Sequence, residues 1–182
     1  GGDTVAGRGR RGHGLTAIGR GVQYPGASRV GARDGDQLWL TGSLGAAMLG
    51  FEALRDGSGA DSTAYRRPLA RLAEGQALAP QVTAMMDVSD GLLLDAFRLA
   101  EASGISITIN SAAVPVADPA RRRDCLSWGD DYELLFTLPP EIAPAVPATR
   151  IGTVAPRGLA PLVLDGEPLV HAAGLGFLHK QG

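Results

Sequence analysis

The chain has 182 residues, 45% of them hydrophobic and 20% charged, with 17 Lys and Arg against 19 Asp and Glu. This length can bury one domain core with part of another, and a formal net charge of −2 gives no electrostatic footing for nucleic acid or an anionic membrane. The single cysteine, Cys125, excludes an internal disulfide framework, and no apolar run reaches a membrane-spanning length. With no signal peptide visible, cytoplasm is the default location.

In chain order, Gly7-Arg8-Gly9-Arg10-Arg11-Gly12 reads as a solvated basic loop, followed by a short strand-like run at 15–18. Tyr24-Pro25-Gly26 is a turn and domain connection, which divides the chain into 1–24 and 25–182. A strand is expected at 37–41 and a helix at about 44–54, then a polar loop at Gly57-Ser58-Gly59. A second helix is expected from Pro68, at its first position, to about 79, with Leu69, Leu72 and Ala73 on one face. The run 82–86 predicts a buried strand, and 92–102 a helix stopped by Gly104. Strands follow at 105–109, 133–138 and 150–154, with a short helix started by Asp118-Pro119 and a hairpin turn at Asp165-Gly166. Strands and helices interleave without strict βαβ regularity, so the expected class is α+β.

Asp87-Val88-Ser89-Asp90-Gly91-Leu92 carries two carboxylates and a hydroxyl at the junction between the strand and the helix. Hard divalent cations take oxygen ligands, and a helix start offers unpaired N–H groups to phosphate. Ser89 as an N-cap and Asp90 as a first-turn dipole partner would account for the same residues. Two further segments share this chemistry. Gly1-Gly2-Asp3-Thr4 pairs glycines with a carboxylate and a hydroxyl, and Gly129-Asp130-Asp131-Tyr132-Glu133-Leu134 brings three acids and a tyrosine into an apolar strand. Glycine permits close backbone approach, and clustered carboxylates repel unless a cation or protons relieve them. His13, His171 and His179 have no ligand spacing for zinc, and Cys125 without a CxxC partner reads as an inert buried thiol. Gly42 and Gly45 lack the lysine of a P-loop and read as tight strand-to-helix packing, while Arg121-Arg122-Arg123 reads as a solvated helix face.

Taken together, Gly2-Asp3-Thr4, Arg29 to Asp36, Leu40 to Gly45, Arg67-Pro68 with Arg71, Asp87 to Leu92, Gly129 to Leu134 and Gly176-Phe177-Leu178-His179 occur in the order of the thiamine-monophosphate kinases. The chain resembles that family, a branch of the superfamily that includes aminoimidazole ribonucleotide synthetase and selenophosphate synthetase. The resemblance implies a mixed sheet with packed helices at 25–182, the carboxyl-terminal domain of that fold, with 1–24 the last piece of an amino-terminal ATP-binding domain. It implies phosphoryl transfer from ATP to thiamine monophosphate with magnesium, a chemistry of positioning and charge neutralisation that suits a site rich in Asp. By matching position, Gly2, Asp3, Arg29 and Ser89 would contact ATP. Asp3, Asp87 and Asp90 would hold magnesium, and Asp130 and Phe177 would meet the substrate.

Departures accompany the matches. The resemblance implies an amino-terminal portion with additional magnesium-binding aspartates that this chain lacks, so the metal site is expected to be incomplete. Ala46 stands where the family often has Asp, and Trp128 where its acidic motif usually opens with glycine. A family homodimer is expected to contact mainly through amino-terminal domains, so the chain alone is expected to be monomeric or loosely associated. Two alternatives remain beside the kinase: a non-catalytic nucleotide- or thiamine-phosphate-binding remnant, and a sibling ATP-dependent synthetase.

Overall fold

A computed structural model describes residues 26–177. The expectations for Gly2, Asp3, the basic loop at 7–12 and the division at 24/25 lie outside the described residues. Seven strands form one mixed sheet: β1 (Gln37–Leu40), β2 (Ala84–Asp87), β3 (Ile105–Ile109), β4 (Leu134–Leu138), β5 (Thr149–Pro156), β6 (Leu162–Leu164) and β7 (Glu167–Leu169). Their order is β2-β4-β1-β5-β3-β6-β7, antiparallel throughout except for the parallel pair β3 and β6. Among the described residues five α-helices accompany it: α1 (Ala46–Asp56), α2 (Thr63–Arg66), α3 (Leu72–Leu78), α4 (Leu92–Ser103) and α5 (Arg122–Ser127). This is the α+β architecture that the interleaved pattern implies.

The period-2 alternation of the strands divides the apolar residues between two layers. Leu38, Leu40, Leu135, Ala84, Ile105, Ile107 and Ile109 face α4, whose Leu92, Leu93, Leu94, Ala96, Leu99 and Ala100 are fully buried against them. The opposite layer packs Phe136 and Leu138 of β4 with Trp39 and Met85 under Leu78 of α3. A buried Leu side chain contributes about 1.5–3 kcal/mol relative to leaving it exposed, so the consecutive leucines make α4 the anchor of the domain. Gly104 ends α4 in the left-handed conformation, its N–H reaching the carbonyls of Ala100 and Glu101. The Asp165-Gly166 turn has φ of 51° and 89°, the two positive values a tight hairpin requires.

Three expectations are corrected. The helix expected from Pro68 begins only at Leu72, because Arg71 is held outside it: its guanidinium donates to both oxygens of Glu133 at 2.8 Å and to Glu74 at 2.9 Å. Leu69 and Leu72 are consequently exposed, 65% and 73%, rather than packed as a face. A one-turn helix, α2, occupies the polar segment before it. The basic triplet is not simply solvated either: Arg121 pairs with Glu52 at 2.6 Å and 2.8 Å, and Arg122 donates to the carbonyls of Ser111 and Val114.

Candidate active site

Strand β2 ends on Asp87, Val88 is buried, and α4 starts at Leu92, so the acidic hexapeptide does straddle a strand-to-helix junction. Ser89 does not cap the helix. The N-cap position is Gly91, with no side-chain cap, and the junction is tied down from inside the helix by Asp95. One oxygen of Asp95 accepts the N–H of Ser89 at 3.0 Å and of Asp90 at 2.9 Å, and the other meets Arg98 at 3.2 Å. Arg98 also donates to Asp90. Asp95 is wholly buried, and that burial pushes its carboxyl up to about 6, while the two amides and Arg98 oppose the rise. Sequence reasoning passed over Asp95; its signal was a carboxylate in the first turn amid three leucines, a position where a charge must have partners.

The second acidic motif divides its labour. Asp131 turns inward and caps α1, accepting the N–H of Gly45 at 2.7 Å and of Ala47 at 3.1 Å; burial pushes it to about 6. Glu133 is buried in a network with Arg71 and with the Thr41 hydroxyl, which donates to it at 2.6 Å. Asp130 and Tyr132 adopt left-handed φ of 65° and 52°, uncommon for such side chains, and the Tyr132 hydroxyl donates to Asp130 at 3.2 Å. Of the three acids, only Asp130 lines the cavity described below.

Glycines let three segments touch. A Cβ on Gly129 would sit 2.3 Å from the Ser89 carbonyl, one on Gly91 would sit 2.6 Å from that of Ser127, and one on Gly176 would sit 2.2 Å from that of Asp90. Backbone bonds join the same segments: Asp130 N–H donates to Ser89 and Phe177 N–H to Asp90, both at 2.9 Å. Ser103, at the far end of α4, receives the N–H groups of Gly31 and Ala32 and donates to the Arg29 carbonyl at 3.0 Å, which brings in the segment carrying Arg29.

The result is a cavity of about 1030 Å³. Arg29, Asp87, Ser89, Asp90, Asp130 and Phe177, all the described candidate residues, line it. So do Asp95, Arg98, Phe51, Tyr65, Trp128 and Tyr132, which sequence reasoning did not assign. Among the described residues, no His or Cys is on the lining, and Cys125 is buried, its thiol pushed up by burial. Among the described residues, no three His, Cys, Asp or Glu gather as a closed metal cage. The lining instead suits a hard cation that keeps waters and takes its remaining ligands from phosphates. Among the described residues, no helix is long and apolar enough to cross a membrane.

Residues 33–159 match the family described as AIR synthase related protein, C-terminal domain. The chain is 38% identical to the thiamine-monophosphate kinase of Halobacterium salinarum over 78% of its own length and 51% of the relative's. It is 34% identical to that of Escherichia coli K12 over 86% and 55%. A solved structure described as "AaThiL complexed with AMPPCP and TMP" superposes with a TM-score of 0.70 at 31% identity, covering 79% of this chain and 52% of the other. The chain thus spans about half the length of the curated relatives it matches. On a match that takes in the sheet from β1 to β5 and all five helices, the chain belongs to the AIR synthase related protein family through its C-terminal domain.

Proposed function

We propose that this chain is part of a thiamine-monophosphate kinase, which moves the terminal phosphoryl group of ATP onto the phosphate of thiamine monophosphate, leaving ADP and thiamine diphosphate. One observation above all supports this: six residues drawn from four separate segments line a single cavity. The related structure holding AMPPCP, an analogue of ATP, together with TMP supports the same pair of ligands.

In this reading Arg29 and Ser89 contact ATP, and Asp130 and Phe177 contact the thiamine substrate. Asp87 and Asp90 hold magnesium, which when bound supplies charge neutralisation on the phosphates. Both are oxygen donors on one cavity, which fits that ion. The N–H groups of Ser89 and Asp90 are fixed by Asp95, so the loop meets phosphate already ordered, and Arg98 holds the Asp90 carboxylate. Gly2 and Asp3 complete the nucleotide side, and 1–24 is the end of an ATP-binding domain joined to the domain at 25–182. A cytoplasmic location agrees with this role.

The test is thiamine diphosphate formation from ATP, magnesium and thiamine monophosphate, by this chain and by the chain extended with the amino-terminal half its relatives carry. Asp87→Asn is expected to lower turnover by about 100-fold or more, since metal charge stabilisation is worth several kcal/mol. Full turnover in Asp87→Asn, or no product from either form, would refute the reading.

A further inference from the structure

The kinase reading makes no use of an aromatic cluster on the same cavity: Phe51 of α1, Tyr65 of α2 and Trp128 beyond α5. Gly50 sets the cluster up. A Cβ there would lie 3.0 Å from Tyr65 Cβ and 3.2 Å from Ser62 Cα, so α1 and α2 close until Tyr65 meets Phe51 edge-on, with centroids 5.4 Å apart and planes at 70°. Trp128 packs on Phe51 at 5.3 Å with planes at 40°, and the Arg55 guanidinium covers a face of Phe51 at 5.9 Å from its centroid. The Trp128 backbone is pinned on both sides. Its N–H donates to Asp124 at 2.9 Å, and Gly129 after it is jammed against the Ser89 carbonyl.

Half-buried, immobilised rings on the wall of a wet cavity are a stacking surface. Their faces are electron-rich, and Asp87, Asp90 and Asp130 share the lining; among the described residues the arginines on it are Arg29 and Arg98, the latter paired with Asp90 and Asp95. Ring faces beside carboxylates favour a planar cation over a neutral ring tethered to a polyphosphate. We propose that Trp128, buttressed by Phe51 and Tyr65, is a stacking platform for a planar heteroaromatic cation and fixes the specificity of this cavity. The identity of that cation as the thiamine part of thiamine monophosphate rests on the kinase reading.

Calorimetric titration of thiamine, thiamine monophosphate, MgATP and N-methylquinolinium into the chain and its Trp128→Phe and Trp128→Leu variants tests this, with thermal unfolding as the check on folding. Trp128→Leu keeps apolar bulk but removes the ring, and is expected to weaken both thiamine compounds and N-methylquinolinium about tenfold, in line with stacking and cation–π strengths. Trp128→Phe should stay within about threefold, and MgATP should bind all three proteins equally. Unchanged thiamine and N-methylquinolinium affinity in a folded Trp128→Leu protein overturns the platform while leaving Asp87-dependent turnover, and so the kinase reading, intact. Trp128-dependent binding of N-methylquinolinium without binding of either thiamine compound supports the platform and overturns thiamine as its cation, the kinase reading itself being decided by turnover of the extended chain. Absence of binding by every cation overturns the platform, as does equal weakening of MgATP.

Discussion

Asp95→Ala is the substitution whose outcome the structure specifies most closely. It removes one oxygen that accepts two amides, Ser89 N–H at 3.0 Å and Asp90 N–H at 2.9 Å, from a side chain that is wholly buried. A buried N–H left unpaired costs roughly 1–3 kcal/mol, and the loop can turn part of the pair toward water, so Asp95→Ala is expected to lie about 2–4 kcal/mol below Asp95→Asn, which shares the loss of charge but keeps an acceptor. The carboxylate itself is held at a penalty. A rise from 3.8 to about 6 means that the site favours the neutral acid by on the order of 3 kcal/mol. Asp95→Asn keeps an acceptor oxygen for both amides and discards the buried charge, at the expense of an NH₂ group against Arg98. It is expected to lie within about 1 kcal/mol of the unsubstituted protein, these contributions being of order 1 kcal/mol each. Urea unfolding at pH 7.5 measures both variants, and hydrogen exchange at Ser89 and Asp90 should lose protection in Ala but not in Asn. A difference below about 0.5 kcal/mol between Ala and Asn, smaller than any lost buried hydrogen bond, refutes the reasoning. If both variants are equally weak, the pairing with Arg98 is what holds the junction.

Two other expectations concern the neighbouring segments. Asp131 is raised in the folded state from 3.8 to about 6, so the folded protein retains a proton that the unfolded chain has released; its stabilising contribution is complete below about pH 4 and is lost as pH rises through 6. Asp131→Asn removes that slope, and the difference in urea midpoint between the two proteins should change between pH 4.5 and 7; because Asp95 titrates in both, parallel profiles would contradict the assignment. Gly129→Ala places a Cβ 2.3 Å from the Ser89 carbonyl and 3.2 Å from Asp90 Cα, both backbone atoms that cannot rotate away. It should cost about 1–3 kcal/mol by overpacking and weaken MgATP and thiamine monophosphate together in calorimetry, and a protein of unchanged stability and affinity would show that the segments are not in contact.

Much of the architecture was legible where local pattern and burial agree. The strand at 105–109 and the helix stop at Gly104 follow from alternation and from glycine's tolerance of φ near 67°. The late start of the helix expected from Pro68 was not legible, because what holds Arg71 outside it is a contact 62 residues along the chain, with Glu133. The same limit applies at the site. Ser89 looks like an N-cap from its neighbours alone, but Asp95 supplies the acceptor, and nothing in a linear pattern says which of two polar side chains the fold will choose. Gathering Asp130 and Phe177 around the Asp87 to Asp90 loop depends on close approaches at Gly91, Gly129 and Gly176, which a sequence shows only as glycines, and Arg29 is brought in by Ser103 from the far end of α4.

The acids around the cavity then sort by what they face. Strongly shifted carboxyls are often taken as pointers to chemistry, yet Asp95 and Asp131, both pushed to about 6, spend their oxygens on backbone amides and hold the Ser89 loop and the start of α1 in place. Glu133 is likewise committed, to Arg71 and Thr41. Asp87 is exposed at the end of β2 and Asp130 is only partly covered, so both remain within reach of a cation or a substrate. Asp90 belongs to both groups, since it lines the cavity and carries Arg98. An inner set of carboxylates that fixes backbone and an outer set open to ligands presents oxygen donors from loops whose ordering cost is met during folding rather than at each binding event.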